Sequence, residues 1–512
     1  MKMPRTPSPN RLRASIVDLT FIVWAAVVPT LFRSRLFSSD GDFARHLRMG
    51  RLILQHGPYQ IDDLAYTHAG PFVTTEWLSQ LAYALANRAG GLAGDAVLAG
   101  IIIGLAYALV VLFMRRCGAD PFLAYFAGVV AGVLGAPHWV ARPHLFTFLA
   151  LPILLHLALA GRKRRLWVFA PFFLVWANFH GGFVLGLAIL GALAAGEILE
   201  AWTSPAGSAE RKEWLGLARF HGLAIAIGTA ASAINPMGPD LLRRIIRVLG
   251  NGWLLQNTAE FQSPNFHSVY GRVLIVVFSL TITALAVRGQ RPSWPRLAVI
   301  VMLLAGALMS ARNAPLFGMV AIPLLAVELD PAWRRLGARW IAHLRTVFDE
   351  GESVAVRGRW APWFAVGLLL LGLNHGSIAG TQIVTAQFDS REMPMAAVSR
   401  AREAGLQGRI FNNFTWGGYL LLEWPEQRIF IDGMTDFLGN DVMKSYMKIT
   451  ALDPGWEEEL NAWDVSVVLL PPSSRLVWAL RRSGGWNVWY EDGVATILTR
   501  GEPALSPAAD ES

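Results

Sequence analysis

The chain carries a single cysteine, Cys117, and only 16% charged residues across 512 positions. One thiol excludes an internal disulfide and leaves any exported portion to be held together by its core alone. Soluble globular chains average about 25% charged residues, so this one is short of the charge that a large wet surface needs. Also missing are a metal-spaced Cys/His set, a phosphate-cradling Gly loop and a G-x-S-x-G elbow, which removes support for ATP-driven transport and serine hydrolysis. The 48 Gly and 28 Pro follow no period, which excludes collagen and low-complexity disorder. What is abundant is apolar: 54% hydrophobic residues, 20 Trp and a mean hydropathy of +0.39. Several apolar runs approach the roughly 20 residues that a helix needs to cross a bilayer core of about 30 Å. The composition is that of a polytopic membrane protein.

These runs fall at about 15–33, 93–114, 121–136, 144–161, 166–178, 182–200, 215–234, 271–287, 296–311, 314–328 and 362–379, about eleven spans. The first is long enough to remain as a span, and no A-x-A site follows it. The net charge of +8 and pI of 9.9 do not point to nucleic acid, because the basic residues sit in short clusters between runs, as orientation signals do. Lys2, Arg5, Arg11 and Arg13 precede the first span; Arg115 and Arg116, Arg162 to Arg165, Arg211 with Lys212, and Arg334 with Arg335 follow even-numbered ones. The positive-inside rule puts these clusters and the N-terminus in the cytoplasm of a multi-pass inner-membrane protein. The loop after the first span carries Arg33, Arg35, Arg45, Arg48 and Arg51 against the rule, but it is long enough for the rule to weaken.

That topology defines three portions: a transmembrane domain over 1–384 whose first external loop is 34–92, an extracytoplasmic α/β domain over 385–503, and a tail at 504–512. In the second, β runs at 408–411, 428–431, 465–470 and 486–499 alternate with helical stretches at about 394–405, 415–424, 438–449 and 473–483. Residues 330–361 read as a basic interfacial helix and loop.

The unusual polar motifs gather on the external face. A transport pathway would instead spread polar groups through the bilayer midplane. Asp40-Gly-Asp42 follows the first span almost at once. Carboxylates there are costly to desolvate unless they meet a cation, a metal or a proton to abstract, so either can be a general base or a ligand for Mg or Mn; equally, Asp caps a helix start. His46 lies one turn after Asp42, where a carboxylate–imidazole bond can form. Glu76, before Trp77, is a second carboxylate in the loop, and also suits the first turn of a helix. Arg142 and Arg312 sit at external span ends, where a guanidinium meets a phosphate or snorkels to headgroups. His144 and His180-Gly-Gly join them. In the terminal domain, Trp416, Tyr419, Asp432 and Asp436 stand at strand-to-loop junctions, where α/β sheets bind ligands and structural turns also occur.

The opening Ser39-Asp40-Gly41-Asp42-Phe43-x-x-His46-Leu47-x-x-Gly50 resembles the start of GT-C membrane glycosyltransferases. It is nearest a largely uncharacterised bacterial group with a D-x-D-x-x-x-H-L-x-x-G motif and a later E-W-L, here Glu76-Trp77-Leu78. Arg142-Pro143-His144, Asn178-Phe-His-Gly-Gly182, Asn235-Pro236, Ser263-Pro264, Trp416-Gly-Gly-Tyr419 and Ile431-Asp-Gly433 fit the same group. Oligosaccharyltransferase catalytic subunits, protein O-mannosyltransferases and aminoarabinose transferases share the wider fold. The resemblance implies a polyprenyl-phosphate-linked sugar donor, a catalytic carboxylate at Asp42 or Asp40, and an extracytoplasmic glycan, lipid or protein acceptor. His46 and Glu76 would support that carboxylate. Arg142, His144, His180 and Arg312 would hold the donor phosphate, and Trp416, Tyr419, Asp432 and Asp436 would line the acceptor entrance. The competing readings are a lipid-binding or lipid-flipping protein without enzymatic activity, and an enzyme like O-antigen ligases or polymerases.

Overall fold

The computed structural model describes residues 13–39, 41–58, 64–68, 73–160, 165–287, 291–335, 339–502 and 504–505. Each of the eleven apolar runs forms a helix, because backbone in lipid must satisfy its own hydrogen bonds. Among the described residues six helices are long and apolar enough to cross a membrane: Trp77–Arg116, Pro121–His138, Phe183–Thr203, Ala209–Ser232, Val269–Ala286 and Ala311–Arg335. Five shorter apolar helices accompany them, Ile16–Leu31, His144–Leu159, Leu166–Phe179, Trp294–Met309 and Ala361–Leu373.

The first helix is capped by Ser15, whose hydroxyl accepts from the Asp18 N–H at 3.1 Å. The fully buried Asp18 carboxylate accepts in turn from the N–H groups of Gly358 and Ala361. That tie brings the starts of the first and last apolar helices to one end of the molecule. Helices gain little from the hydrophobic effect inside lipid, so close backbone approach holds them together. The Gly100-x-x-x-Gly104 pair supplies it: a Cβ at either position would lie 2.8 Å from atoms of Phe21, Ala25 or Pro29 on the first helix.

The first external loop folds into the helix Asp42–His56 and then the first part of Trp77–Arg116, which bends at Gly90 and Gly91, the latter at φ +59°. The interfacial stretch expected near 76–88 and the span expected at 93–114 are thus one bent helix. The helix Asp240–Gly250 is an addition to the expected elements; it places Arg243, Arg244 and Arg247 on a helix with the exposed Ile246 and Leu249. The last apolar helix ends at Leu373, short of the expected 379, and a two-residue hairpin, Ser377–Ile378 with Thr381–Gln382, follows.

The C-terminal region is built on a four-stranded mixed sheet. Ile410–Asn412 runs parallel to Val467–Leu470, which pairs antiparallel with Thr496–Arg500; Trp486–Glu491 closes the edge as a hairpin. The central strand is apolar and fully buried on both faces. The helices Met395–Glu403, Gly417–Glu423, Asn440–Ala451 and Arg475–Ser483 fall close to their expected positions, and Trp456–Ala462 is an extra one. The run at 428–431 is not a strand of this sheet. Ile429 instead makes a parallel bridge with Ala65 of the first external loop, through Tyr66 N–H to Ile429 O and Ile429 N–H to Leu64 O.

Candidate active site

Chain topology brings one end of many helices to the face that carries Asp42. Gly41, at φ +75°, turns the chain so that Asp42 opens the helix Asp42–His56, where its charge complements the helix dipole. A Cβ on Gly41 would lie 1.8 Å from the Thr415 carbonyl oxygen, so only glycine admits this approach. The Asp42 carboxylate is divided between two guanidiniums. Arg45, one turn along, reaches Oδ1 at 3.4 Å, and Arg142 reaches Oδ2 at 2.7 Å.

Arg142 also grips Glu260 at 2.9 Å, and Arg312 approaches the other Glu260 oxygen at 3.9 Å while lying 4.8 Å over the Phe261 ring. Arg45 extends the series the other way, to Asp432 at 3.6 Å. Among the described residues this makes an alternating line of six charges: Asp432, Arg45, Asp42, Arg142, Glu260, Arg312. Partial burial works to raise the Glu260 carboxyl, but Arg142 and Arg312 outweigh it and bring it down to about 2. Glu260 is therefore ionised at every physiological pH.

A second arm converges on the same face. Glu76 Oε1 lies 3.5 Å from His180 Nε2, and the neighbouring Trp77 donates to Asn178 Oδ1 at 2.6 Å, so the E-W-L and N-F-H-G-G motifs pair side by side. The His180 tautomer follows from its partners. Nδ1 accepts the Gly182 N–H at 3.1 Å, so in the neutral ring the proton sits on Nε2, facing Glu76. Thr147, held by the Trp176 indole, also contacts Nδ1 at 2.8 Å. Burial, reinforced by His144, Arg312 and Arg142, holds the His180 ring well below the usual histidine range.

Asp42, Arg142, Arg312, Glu76 and His180 are thus brought together. Asp40 lies outside the described residues. His46 does not bond Asp42, correcting that expectation; its ring lies between Arg45 at 3.2 Å and Gln80 at 3.3 Å, while the Asp42 oxygens face the guanidiniums of Arg45 and Arg142. Burial, then Arg45 and Arg142, hold the His46 ring well below its ordinary value. His144 places Nε2 2.7 Å from the His138 carbonyl and so braces a loop. Among the described residues no group of three or more His, Cys, Asp or Glu side chains is arranged to hold a metal ion.

Two of the terminal-domain residues, Tyr419 and Asp432, are placed differently from their expected role. Tyr419 is buried edge-on against Phe388, and Asp432, 1% exposed, is turned to Arg45; neither is open enough to line an entrance. Trp416 is 3% exposed with its indole donating to the Glu392 carbonyl, although it borders a cleft of about 560 Å³. That cleft lies between Ser38 and Ser39, Glu392, and the C-terminal ends of the parallel strands at Asn413, Thr415 and Ser473. Asp436 belongs to the short helix Thr435–Leu438. Arg45 and Glu260 are charged residues to which the sequence reading gave no part in the site. Arg45 was hidden among loop arginines, although its i+3 spacing from Asp42 is a usable signal.

No known family profile matches the chain, and no curated protein matches it in sequence. Solved structures do resemble it. The Archaeoglobus fulgidus oligosaccharyltransferase in its apo form superposes with a TM-score of 0.56 at 13% identity, covering 89% of this chain and 69% of that one. Archaeal oligosaccharyltransferase AglB from the same organism, in complex with an inhibitory peptide and a dolichol-phosphate, gives 0.55 at 12% identity over 96% and 74%. ArnT from Cupriavidus metallidurans bound to undecaprenyl phosphate gives 0.50 at 14% identity over 95% and 97%. The chain has a GT-C-like fold. In GT-C terms it is a multi-helix membrane body followed by a sheet-containing C-terminal region, and the six-charge line lies where these two portions meet.

Proposed function

We propose that this protein is an integral-membrane glycosyltransferase that moves a sugar from a polyprenyl-phosphate donor to an acceptor outside the cytoplasm. The observation that carries the reading is the shared Asp42–Arg142–Glu260–Arg312 line on one face of a GT-C-like fold. Support for the donor class comes from the lipid phosphates held by the AglB and ArnT structures. A lipid phosphate can present its sugar at the outer membrane face, whereas nucleotide sugars are cytoplasmic.

In this reading Arg312 meets the donor phosphate first, since it ends the line and its contact to Glu260 is the longest. The phosphate then draws Arg142 toward it, because Arg142 is more open than Arg45, 20% against 7% exposed. Asp42 Oδ2 thereby gives up its Arg142 contact. The acceptor hydroxyl, approaching through the cleft beside Ser39, attacks the anomeric carbon while its proton passes to Asp42. The bond from that carbon to the phosphate oxygen breaks, and the electron pair leaves on the phosphate, which the guanidiniums stabilise. Attack opposite the leaving group inverts the anomeric centre, without a covalent sugar intermediate. Glu76 and His180 flank the phosphate position as a fixed, neutral-ring pair.

The test is transfer by purified protein from a labelled polyprenyl-phosphate sugar into acceptors of a membrane extract. Label moving with inverted configuration, and lost in Asp42→Asn, supports the reading. Saturable lipid-phosphate binding without transfer would overturn it in favour of a lipid-binding or flipping protein.

A further inference from the structure

We propose that Arg45 and Asp432 are a positioning pair that fixes the Asp42 carboxylate, so that the active site is complete only when the C-terminal region is docked. The inference rests on the reading of Asp42 as the base, and it assigns Asp432 a part in the reaction other than acceptor binding.

Arg45 is 7% exposed at its side chain and spans the two carboxylates, Asp42 at 3.4 Å and Asp432 at 3.6 Å. Asp432 is itself oriented by the Met434 N–H, which donates to Oδ1 at 3.0 Å. A buried guanidinium set between two carboxylates is held from both sides, and removing either one redirects its charge onto the other.

Backbone contacts enforce the same register. A Cβ on Gly433 would lie 2.1 Å from Asp42 Oδ1, so the residue after Asp432 presses directly against the base. A Cβ on Gly418 would lie 2.3 Å from the Gly41 carbonyl oxygen, and one on Gly417 2.6 Å from the Asp432 Cβ. The Trp416-Gly-Gly-Tyr419 and Ile431-Asp-Gly433 motifs therefore clasp the start of the Asp42 helix, one against its backbone and one against its carboxylate. Two independent features, an ion pair and a glycine contact, converge on the same oxygen atom, Asp42 Oδ1.

Positional error is what such a clasp prevents. A displacement of about 1 Å at a reacting group can cost about 10²-fold in rate. Without Asp432, Arg45 retains Asp42 as a carboxylate partner and draws it along the helix, away from the acceptor hydroxyl. Removing Arg45 as well relieves that pull.

The experiment uses the full chain in detergent or proteoliposomes with the labelled donor. Asp432→Asn is expected to lower kcat about 10²-fold while leaving the KM for donor and acceptor within about twofold. Asp432→Glu should return part of the rate, and Arg45→Gln combined with Asp432→Asn should be no slower than Asp432→Asn alone. Gly433→Ala, which adds a methyl against Asp42 and removes no charge, should show the same kcat-specific loss, and keeps the idea testable where Asp432→Asn fails to fold. Wild-type kcat in both Asp432→Asn and Gly433→Ala would overturn the inference, as would a loss confined to KM or strictly additive losses in the double variant. Wild-type protein that transfers nothing overturns the glycosyltransferase reading and this inference with it; active wild type beside equally active variants overturns this inference alone.

Discussion

The two ends of the helical body use ion pairs in opposite ways. On the face away from Asp42, Arg291 lays both terminal nitrogens on Glu200, at 2.8 and 2.9 Å, and the same carboxylate accepts the Trp294 N–H that opens the next apolar helix. Within the body, His221 and Glu197, both buried, meet at 2.9 Å between the neighbouring helices Phe183–Thr203 and Ala209–Ser232. The second contact joins helices adjacent in the chain, the first ties Phe183–Thr203 to the start of Trp294–Met309, and both are closed on themselves. On the Asp42 face, charges are shared: Arg45 and Arg142 each touch two carboxylates, and Glu260 touches two guanidiniums. A closed pair is a clamp, and breaking it leaves a buried group without compensation. A shared line can pass a partner along when an anion arrives, so its members are able to change contacts at modest cost.

Substitutions separate the two kinds of contact. The largest effect belongs to Asp42→Asn, which removes the proposed base with little change in volume. Turnover should fall roughly 10²–10⁴-fold, with the thermal melting point and lipid-phosphate affinity near wild type. A melting loss in place of the rate loss would make Asp42 a clamp like Glu200, and the contrast between the faces would collapse.

Glu197→Ala tests the other side of the comparison. It strips the buried His221 of its partner between two helices, and should cost about 3 kcal/mol of stability. Because the pair lies away from the shared line, kcat at a temperature where the variant stays folded should match wild type. A kcat loss there would mean that the body's closed contacts reach the chemistry after all.

A gentler probe is Glu260→Gln. It removes the negative charge that Arg142 and Arg312 share, at a carboxyl that is ionised throughout the working pH range. With that competitor gone, both guanidiniums are more available to a phosphate. Retention of the lipid phosphate should strengthen about tenfold, equivalent to about 1.4 kcal/mol, and turnover should become limited by product release. Unchanged affinity for the lipid phosphate would show that Glu260 does not compete with it.

How much of this was readable without the fold depends on what each residue answers to. The eleven helices were legible because lipid forces apolar runs to satisfy their own backbone, whatever their neighbours. Arg142 and Arg312 were legible as lone cations at span ends, a place where charge demands a partner. The partner itself was not legible: nothing in local pattern says that Arg142 meets Asp42 and Glu260 at once, since each comes from a different loop. The reading of 428–431 as a sheet strand failed for the same reason, because Ile429 has strand-like neighbours but bridges Ala65 in the first loop. Trp416 and Tyr419 stood out as aromatics beside glycines, which marks a close backbone approach as readily as a ligand surface; here the glycines admit Gly41 and Asp432.

The smallest expected effect concerns pH and two histidine rings on the Asp42 face. His46 and His180 are both held well below the ordinary histidine value, chiefly by burial and then by neighbouring cations. A depressed folded-state value means that, below about 6.5, the unfolded chain takes up protons that the folded protein refuses. Stability is therefore greatest above 6.5 and declines as pH falls through that value, by up to about 1.4 kcal/mol per pH unit for each ring. Glu260 adds nothing to this slope between pH 7.5 and 5.5, since it is ionised in both states there and its contribution is lost only as pH falls from 4.5 toward 2. Melting curves of the solubilised protein from pH 7.5 to 5.5 should show the decline, and His46→Gln should flatten it by one ring's share. A wild-type slope in His46→Gln would mean that this ring takes up a proton inside the folded site, which would make the Asp42 face less cationic in its resting state than its shared line of charges implies.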